Sequence, residues 1–160
     1  MIKLPFLFFA LLTFFSFKDY KEFRYPGQPG LLKIDTLQYV VLKYKGGRYP
    51  KFDSVSASDL SIVEIDTVFS SLKRAIQVYN LSARNKIFTI RDLRVYKFQF
   101  IPVLNVKGEK IVWINAFCDA FENDWKKDIV LVMDGGNCYF TARINLATER
   151  VFALGTNGRG

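Results

Sequence analysis

The chain contains one segment with the periodicity of an amphipathic helix, and the sequence after it has the periodicity of strands. Between residues 62 and 79 the apolar residues recur every three or four positions, which places them on one face of a helix. Ser61 followed by Glu64 is a capping box, so the helix is predicted over 61–80. After Leu93, apolar and polar residues alternate instead. This order predicts an α+β fold in which one long helix packs on an antiparallel sheet.

Four to five strands joined by short turns are expected after the helix. The predicted strands cover 95–104, 110–117, 138–145 and 150–154, with a further apolar run at 129–133. Gly108, Gly135 and Gly136 are typical of the turns between such strands. Pro102 indicates an edge or bulged strand, because proline contributes no N–H to a ladder. Another strand is predicted before the helix, over 34–44.

Alternation within the predicted strands assigns their residues to two faces of the sheet. In 110–117, Val112, Ile114 and Ala116 fall on one face, whereas Trp113 and Asn115 fall on the other. One of these faces is expected to pack on the helix.

Residues 1–17 have the layout of a cleavable export signal: a single lysine, Lys3, and then an uncharged apolar run over 4–17. As a helix this run would be about 21 Å long, against ~30 Å for the hydrocarbon core of a bilayer. Cleavage is therefore preferred over a short uncleaved anchor or a buried amphipathic segment. The predicted organisation is a signal peptide at 1–17, a basic extended arm and first strand at 18–58, and the helix and sheet at 59–160.

The absence of histidine excludes several classes of active site. Ser-His-Asp and Cys-His nucleophile pairs and histidine-ligated metals all lack their central group. Asp119, Glu122, Asp124 and Asp128 lie close together in sequence, but they lack the glycine and the closing glutamate of a calcium loop. We expect a solvated connection there, with no catalytic residue, metal or cofactor. A hydrolase that uses Asp119, Glu122 or Asp124 stays open as an alternative.

The net charge is +8, and the excess of basic residues is greatest near the N-terminus. The basic residues of this region are Lys18, Lys21, Arg24, Lys33, Lys43, Lys45, Arg48 and Lys51. They either contact an acidic surface or keep a strand and its linkers solvated. The expected partner is an unknown protein or envelope component. Nucleic acid is not expected, and membrane contact is expected only through the signal segment before cleavage.

Cys118 and Cys138 are the two cysteines of the chain. Their spacing differs from the C-x-x-C of redox enzymes, and without histidine they make a poor zinc site. In an oxidising compartment two thiols form a bridge more often than they stay free. The sequence thus predicts a structural disulfide and a secreted or periplasmic protein.

The chain resembles two groups of proteins, one in short sequence motifs and the other in the order of its predicted elements. The stretches KGEKIVWIN at 107–115, DGGNCYF at 134–140 and TNG at 156–158 resemble those of small exported bacterial proteins to which no activity is attached. The order of strand, long helix and further strands is similar to that of the cystatins. Their inhibitory hairpin motif, Gln-x-Val-x-Gly, corresponds here to 104–108, where Val106 and Gly108 match and Leu104 replaces the glutamine. The resemblance implies a cystatin-like fold and, as an alternative function, protease inhibition.

The sequence favours an exported binding or structural module without catalytic machinery. Its binding surface is expected on the open face of the sheet or at the glycine-containing turns, although core packing of the aromatic residues is the alternative. The candidate surface residues are Val106, Gly108, Trp113, Trp125, Asp134, Gly135, Gly136 and Asn137.

Overall fold

Over the residues that the structure describes, the protein has an α+β fold with one α-helix and a mixed sheet. A computed structural model describes residues 37–47, 49–83, 85–119 and 124–158. Its elements are β1 (Gln38–Val41), β2 (Ser56–Ala57), α1 (Ile62–Ser82), β3 (Lys97–Leu104), β4 (Lys110–Phe117), β5 (Tyr139–Asn145) and β6 (Arg150–Thr156). Within these ranges no helix combines the length and the apolar composition that a bilayer crossing requires. The predicted signal segment, 1–17, and the arm as far as residue 36 lie outside the described residues.

Helix α1 begins where the capping box predicts. The Ser61 hydroxyl accepts a hydrogen bond from the Glu64 amide, and the Glu64 carboxylate accepts one from the Ser61 amide at 2.8 Å. The helix ends at Ser82, two residues beyond the prediction. From Ile65 to Ile76 its apolar stripe is buried against the sheet, which confirms the packing of one helix face on the strands, whereas Ile62 at the start of the stripe is exposed.

The strand order is β1-β3-β4-β5-β6, and β2 pairs with β3 beside β1. The pairs β3–β4, β4–β5 and β5–β6 are antiparallel, as predicted. The expectation of an entirely antiparallel sheet is wrong for β1, which runs parallel to β3. The short strand β2 and then α1 lie between β1 and β3 in the chain, and this long crossover lets the two strands run in the same direction.

Pro102 lies in a central strand and not in the edge or bulged strand that was predicted. The Pro102 carbonyl accepts a hydrogen bond from Ser58, so the imide nitrogen of Pro102 faces the side of β3 that carries β1 and β2. Strand β1 ends opposite Phe100, and β2 ends opposite Val103. Proline is tolerated because its missing N–H falls at the junction between these two partners.

The two faces of the sheet carry two different apolar clusters, and the predicted alternation in β4 is confirmed. Val112, Ile114 and Ala116 belong to the main core under α1. Trp113 belongs to a second cluster on the opposite face, together with Ile101 and Val103 of β3. Residues from 42–55 and Ile129 pack on this second cluster. Both faces of β3 and β4 are therefore covered by other parts of the chain.

The apolar run 129–133 is not a strand, and the turn at 134–137 does not join two paired strands. Gly136 instead begins a 3-10 turn that leads into β5. The positive φ expected for the glycines is present, at 95° for Gly135 and 57° for Gly136. A side chain at Gly135 would also collide with the ring of Tyr139, so both conformation and space require glycine there.

Candidate functional site

Cys118 and Cys138 form the predicted disulfide, with their Cα atoms 5.1 Å apart. Cys118 directly follows β4, and the Cys118 amide donates to the Cys138 carbonyl at 3.0 Å. The bridge therefore extends the antiparallel pairing of β4 and β5 by one position. It indicates that the protein resides in an oxidising environment.

A buried amide pair holds a loop on the face of the sheet opposite α1. Gln99 is 0% exposed, and its Nε2 donates to the carbonyls of Trp125 and Asp128 at 2.5 and 2.7 Å. Gln99 Oε1 accepts from Asn115 Nδ2 and from the Val130 amide, each at 3.0 Å. Buried polar groups are costly unless they are bonded. Three of the four bonds of Gln99 tie the loop to the sheet, and the fourth joins Gln99 to Asn115 of β4.

A groove of about 710 Å³ opens beside this loop. One wall consists of residues 41–46 with Tyr49 and Pro50, the other wall consists of 126–129, and Ile101 of β3 lies between them. We call this feature the basic groove, because Lys43, Lys45, Lys126 and Lys127 line it, and Asp128 is the one acidic residue among its described lining residues. Its volume lies in the range that is usual for ligand sites, about 300–1,000 Å³.

The lysines of the basic groove differ in their partners. Lys127 forms an exposed ion pair with Asp124 at 2.7 Å, and a hydrogen bond to that carboxylate raises the Lys127 pKa. The ammonium group of Lys126 lies 5.6 Å from the centre of the Trp125 ring, as does that of Lys97. Two ammonium groups are therefore close to the Trp125 ring, which adjoins Lys126 of the groove wall.

Aromatic packing fixes the wall formed by 41–50. Tyr44 meets Phe52 edge to face at 5.3 Å, and Tyr49 meets Trp113 in the same way at 5.3 Å. Burial raises the pKa of Tyr49, and the positive charge of Arg143 partly opposes this shift. Tyr49 is 46% exposed, so one side of its ring packs while the rest stays accessible.

The predicted surface residues do not form one surface. Val106 is 81% exposed and Gly108 is exposed, both in the β3–β4 turn. The turn at 134–137 lies beyond the opposite end of β4, about 23 Å away at ~3.3 Å per residue. Trp113, at 3% exposure, is a core residue under Tyr49 and not a surface residue. Of the predicted set, Trp125 lies beside the basic groove.

The turn at 134–137 is held by structural contacts. The Asn137 side chain donates to the Thr89 carbonyl at 2.8 Å, and the Asn137 carbonyl accepts from the Tyr96 hydroxyl at 2.5 Å. A shallow depression of about 530 Å³ adjoins Gly135, Gly136 and Asn137 and has Lys86 as its charged residue. Asp134 is exposed at the start of this turn.

The clustered carboxylates of the sequence have separate partners. Asp119 accepts a hydrogen bond from the Tyr139 hydroxyl at 2.8 Å, and Asp124 pairs with Lys127. Burial, together with the bond to Asp119, raises the pKa of Tyr139 to about 12. Glu122 lies outside the described residues. Among those described, one group has metal-ligand proximity, and it combines Asp119 with the two cysteines, whose sulfurs are already bonded to each other.

Sequence reasoning missed Gln99, Lys43 and Lys45 as components of a site. Gln99 and Asn115 are amide residues among the apolar residues of two neighbouring predicted strands, and the structure pairs them directly in the β3–β4 register. Two facing amides in an apolar environment are the feature that could have indicated a site. The lysines were recognised only as part of a basic stretch. The chain matches no protein-family model, and no curated protein or solved structure is detectably similar to it.

Proposed function

We propose that this chain is an exported, non-enzymatic binding module whose ligand site is the basic groove. The observation that carries this proposal is a concave site of about 710 Å³ with two walls fixed by buried contacts. Polar and aromatic groups converge there on an apolar base at Ile101. A pocket of this composition is typical of ligand recognition.

The walls of the groove are preorganised. The Leu42 amide donates to the Phe100 carbonyl at 2.8 Å, and Tyr44 packs on Phe52, so the first wall continues the sheet. The second wall is held by Gln99, whose amide group bonds the loop on both sides of Lys126 and Lys127. A ligand that enters such a site pays little to order the protein, which favours binding.

Export is proposed from two independent features. The disulfide is typical of proteins that function outside the reducing cytosol. The apolar run after Lys3 is the expected signal that would direct the chain there. We propose a secreted or periplasmic location and a ligand among the components met in that compartment.

Retention on envelope material tests the binding function. Purified protein is mixed with washed envelopes of the producing cell, and the bound fraction is compared for the native chain, K43E/K126E and the control K86E/K107E. The native chain and the control should be retained, and the groove variant should be released. Equal retention of all three proteins, or no retention of the native chain, would contradict the proposal.

Protease inhibition is a second candidate, favoured by the 81% exposure of Val106 at the β3–β4 turn. An inhibitory hairpin needs an apolar residue free to enter a protease cleft. Titration of papain with the native chain and with Val106→Asp measures this function directly. Inhibition that Val106→Asp abolishes would support it, and an uninhibited protease at micromolar protein would refute it.

A further inference from the structure

We infer that the ligand of the basic groove is an acidic polysaccharide. This inference rests on the proposed function, since it assumes that the groove is the binding site. It adds the chemical class of the ligand, which follows from the charges, the exposed rings and the compartment.

The groove has an uncompensated positive charge. Within the described residues neither Lys43 nor Lys45 forms an ion pair with a carboxylate. The ammonium of Lys126 lies over the Trp125 ring, and its charge acts only as a minor contribution on Asp124, whose main partner is Lys127. Lys127 is neutralised by Asp124, which leaves three lysines to face Asp128. A further ammonium group, that of Lys97, lies 5.6 Å from the centre of the same Trp125 ring. A ligand that complements this surface carries several negative charges.

Lysine also suits a repeating anion better than a single planar one. Its ammonium is a compact charge on a flexible stem, whereas bidentate capture of one carboxylate or phosphate is the geometry of arginine. Lys43 and Lys45 occupy one wall, and Lys126 occupies the other. Charges spread over both walls of an open groove fit a chain that carries one acidic group after another.

The exposed rings point to sugars as the units that carry these charges. Tyr49 is 46% exposed and Tyr44 is half-buried, and both line the same groove as the lysines. An aromatic face offers an apolar surface to the C–H groups of a sugar ring, while its hydroxyl accepts or donates a hydrogen bond. A groove that combines such rings with lysines recognises both the ring and the acid of a uronic or sulfated sugar.

Two other polyanions fit less well. Nucleic acid would also suit lysines beside aromatic rings, but the disulfide places the protein in an oxidising environment, where nucleic acid is seldom met. An anionic bilayer presents a nearly flat surface, and a groove that is concave between two walls brings few of its charges to such a surface. We therefore commit to the polysaccharide.

Affinity for defined polymers tests the inference. Binding of the full chain to alginate, a polyuronate, and to dextran sulfate is measured by calorimetry at low salt, with neutral dextran as the uncharged control. K43Q/K45Q/K126Q should weaken binding about tenfold, because three exposed charge contacts are lost. The matched control K86Q/K107Q/R150Q removes the same number of charges elsewhere and should bind like the native chain.

The contribution of the aromatic ring is tested separately. Tyr49→Leu should weaken polysaccharide binding about three- to tenfold. Tyr49→Phe retains the ring and loses only the hydroxyl, so it should weaken binding clearly less than Tyr49→Leu. Thermal unfolding of both variants shows whether the fold is intact. If Tyr49→Leu unfolds, Tyr44→Leu with its partner Tyr44→Phe provides the same comparison.

Several results would overturn the inference. One is the absence of binding to both acidic polymers. Another is an equal loss in the groove variant and the control, which would mean nonspecific charge attraction. A third is tighter binding to phosphatidylglycerol vesicles or to an oligothymidylate than to either polysaccharide. If the native chain is still retained on envelopes in any of these cases, the proposed ligand class is wrong and the proposed binding function stands. If the native chain neither binds the acidic polymers nor is retained on envelopes, both proposals are wrong.

Discussion

Replacing Gln99 by leucine tests whether a buried amide holds the loop 124–130 on the sheet. Gln99→Leu nearly preserves volume and removes four hydrogen bonds, three to the loop and one to Asn115. Each bond contributes about 1 kcal/mol net, or about 4 kcal/mol together. The added apolar surface returns about 1 kcal/mol. The free energy of unfolding should therefore fall by about 3 kcal/mol.

The two tryptophans make the assay specific. Trp113 lies in the core and Trp125 lies in the loop, so a Trp125→Phe background restricts the fluorescence signal to the core. Urea unfolding in this background gives the free energy of unfolding of the whole domain. Amide hydrogen exchange in the native background then reports whether 124–130 opens before the rest.

The control is Gln77→Leu, the same substitution at an exposed position of α1, where we expect a change within about 0.5 kcal/mol. If Gln99→Leu instead changes the free energy of unfolding as little as this control does, and amide exchange across 124–130 stays at the native rates, then other contacts hold the loop. That result would refute the reasoning about the buried amide.

Two further predictions concern the disulfide and the start of α1. Removing the bridge with C118A/C138A should lower the free energy of unfolding by about 3 kcal/mol, since it closes a loop with a separation of 20 residues; a urea midpoint equal to that of the oxidised native chain would contradict this. The hydrogen bond from Lys110 holds the pKa of Glu64 below its ordinary 4.5. The ionised Glu64 carboxylate therefore stabilises the folded state fully above pH 4.5, and this contribution is lost as the pH falls through the pKa of Glu64 in the folded protein. Glu64→Gln should therefore be less stable than the native chain near pH 6, and the difference should narrow towards about pH 3 in urea titrations; a constant difference would show that the carboxylate is not responsible.

Much of the architecture follows from sequence periodicity, because periodicity records burial. Ser61 and Glu64 mark the start of α1, and the alternation in β4 separates the residues under the helix from Trp113. Burial says nothing about strand direction, however. The parallel pairing of β1 therefore could not be predicted from the four residues of that strand.

The candidate site was less predictable because its parts are far apart in sequence. The groove combines 41–46, Tyr49 and Pro50 with 126–129. Gln99 and Asn115 help to bring these segments together, because they bind the loop that carries the second one to the sheet. The run 129–133 looked like a strand because it is apolar, yet side-chain amides replace the ladder there. Pro102 correctly indicates a position without a ladder hydrogen bond, but it does not show that this position lies in a central strand between two short partners.

The parallel pairing of β1 has a consequence for how the molecule assembles. Gln38 pairs with Lys97, so the part of the chain that is synthesised first finds its partner only after the helix and β3 have been made. The meander from β3 to β6 involves neighbours in sequence and can form without it. The first wall can dock once β3 is available, whereas the second wall, 126–129, lies still later in the chain. A complete groove therefore exists only after residues on both sides of β3 and β4 have been made and have packed on the sheet.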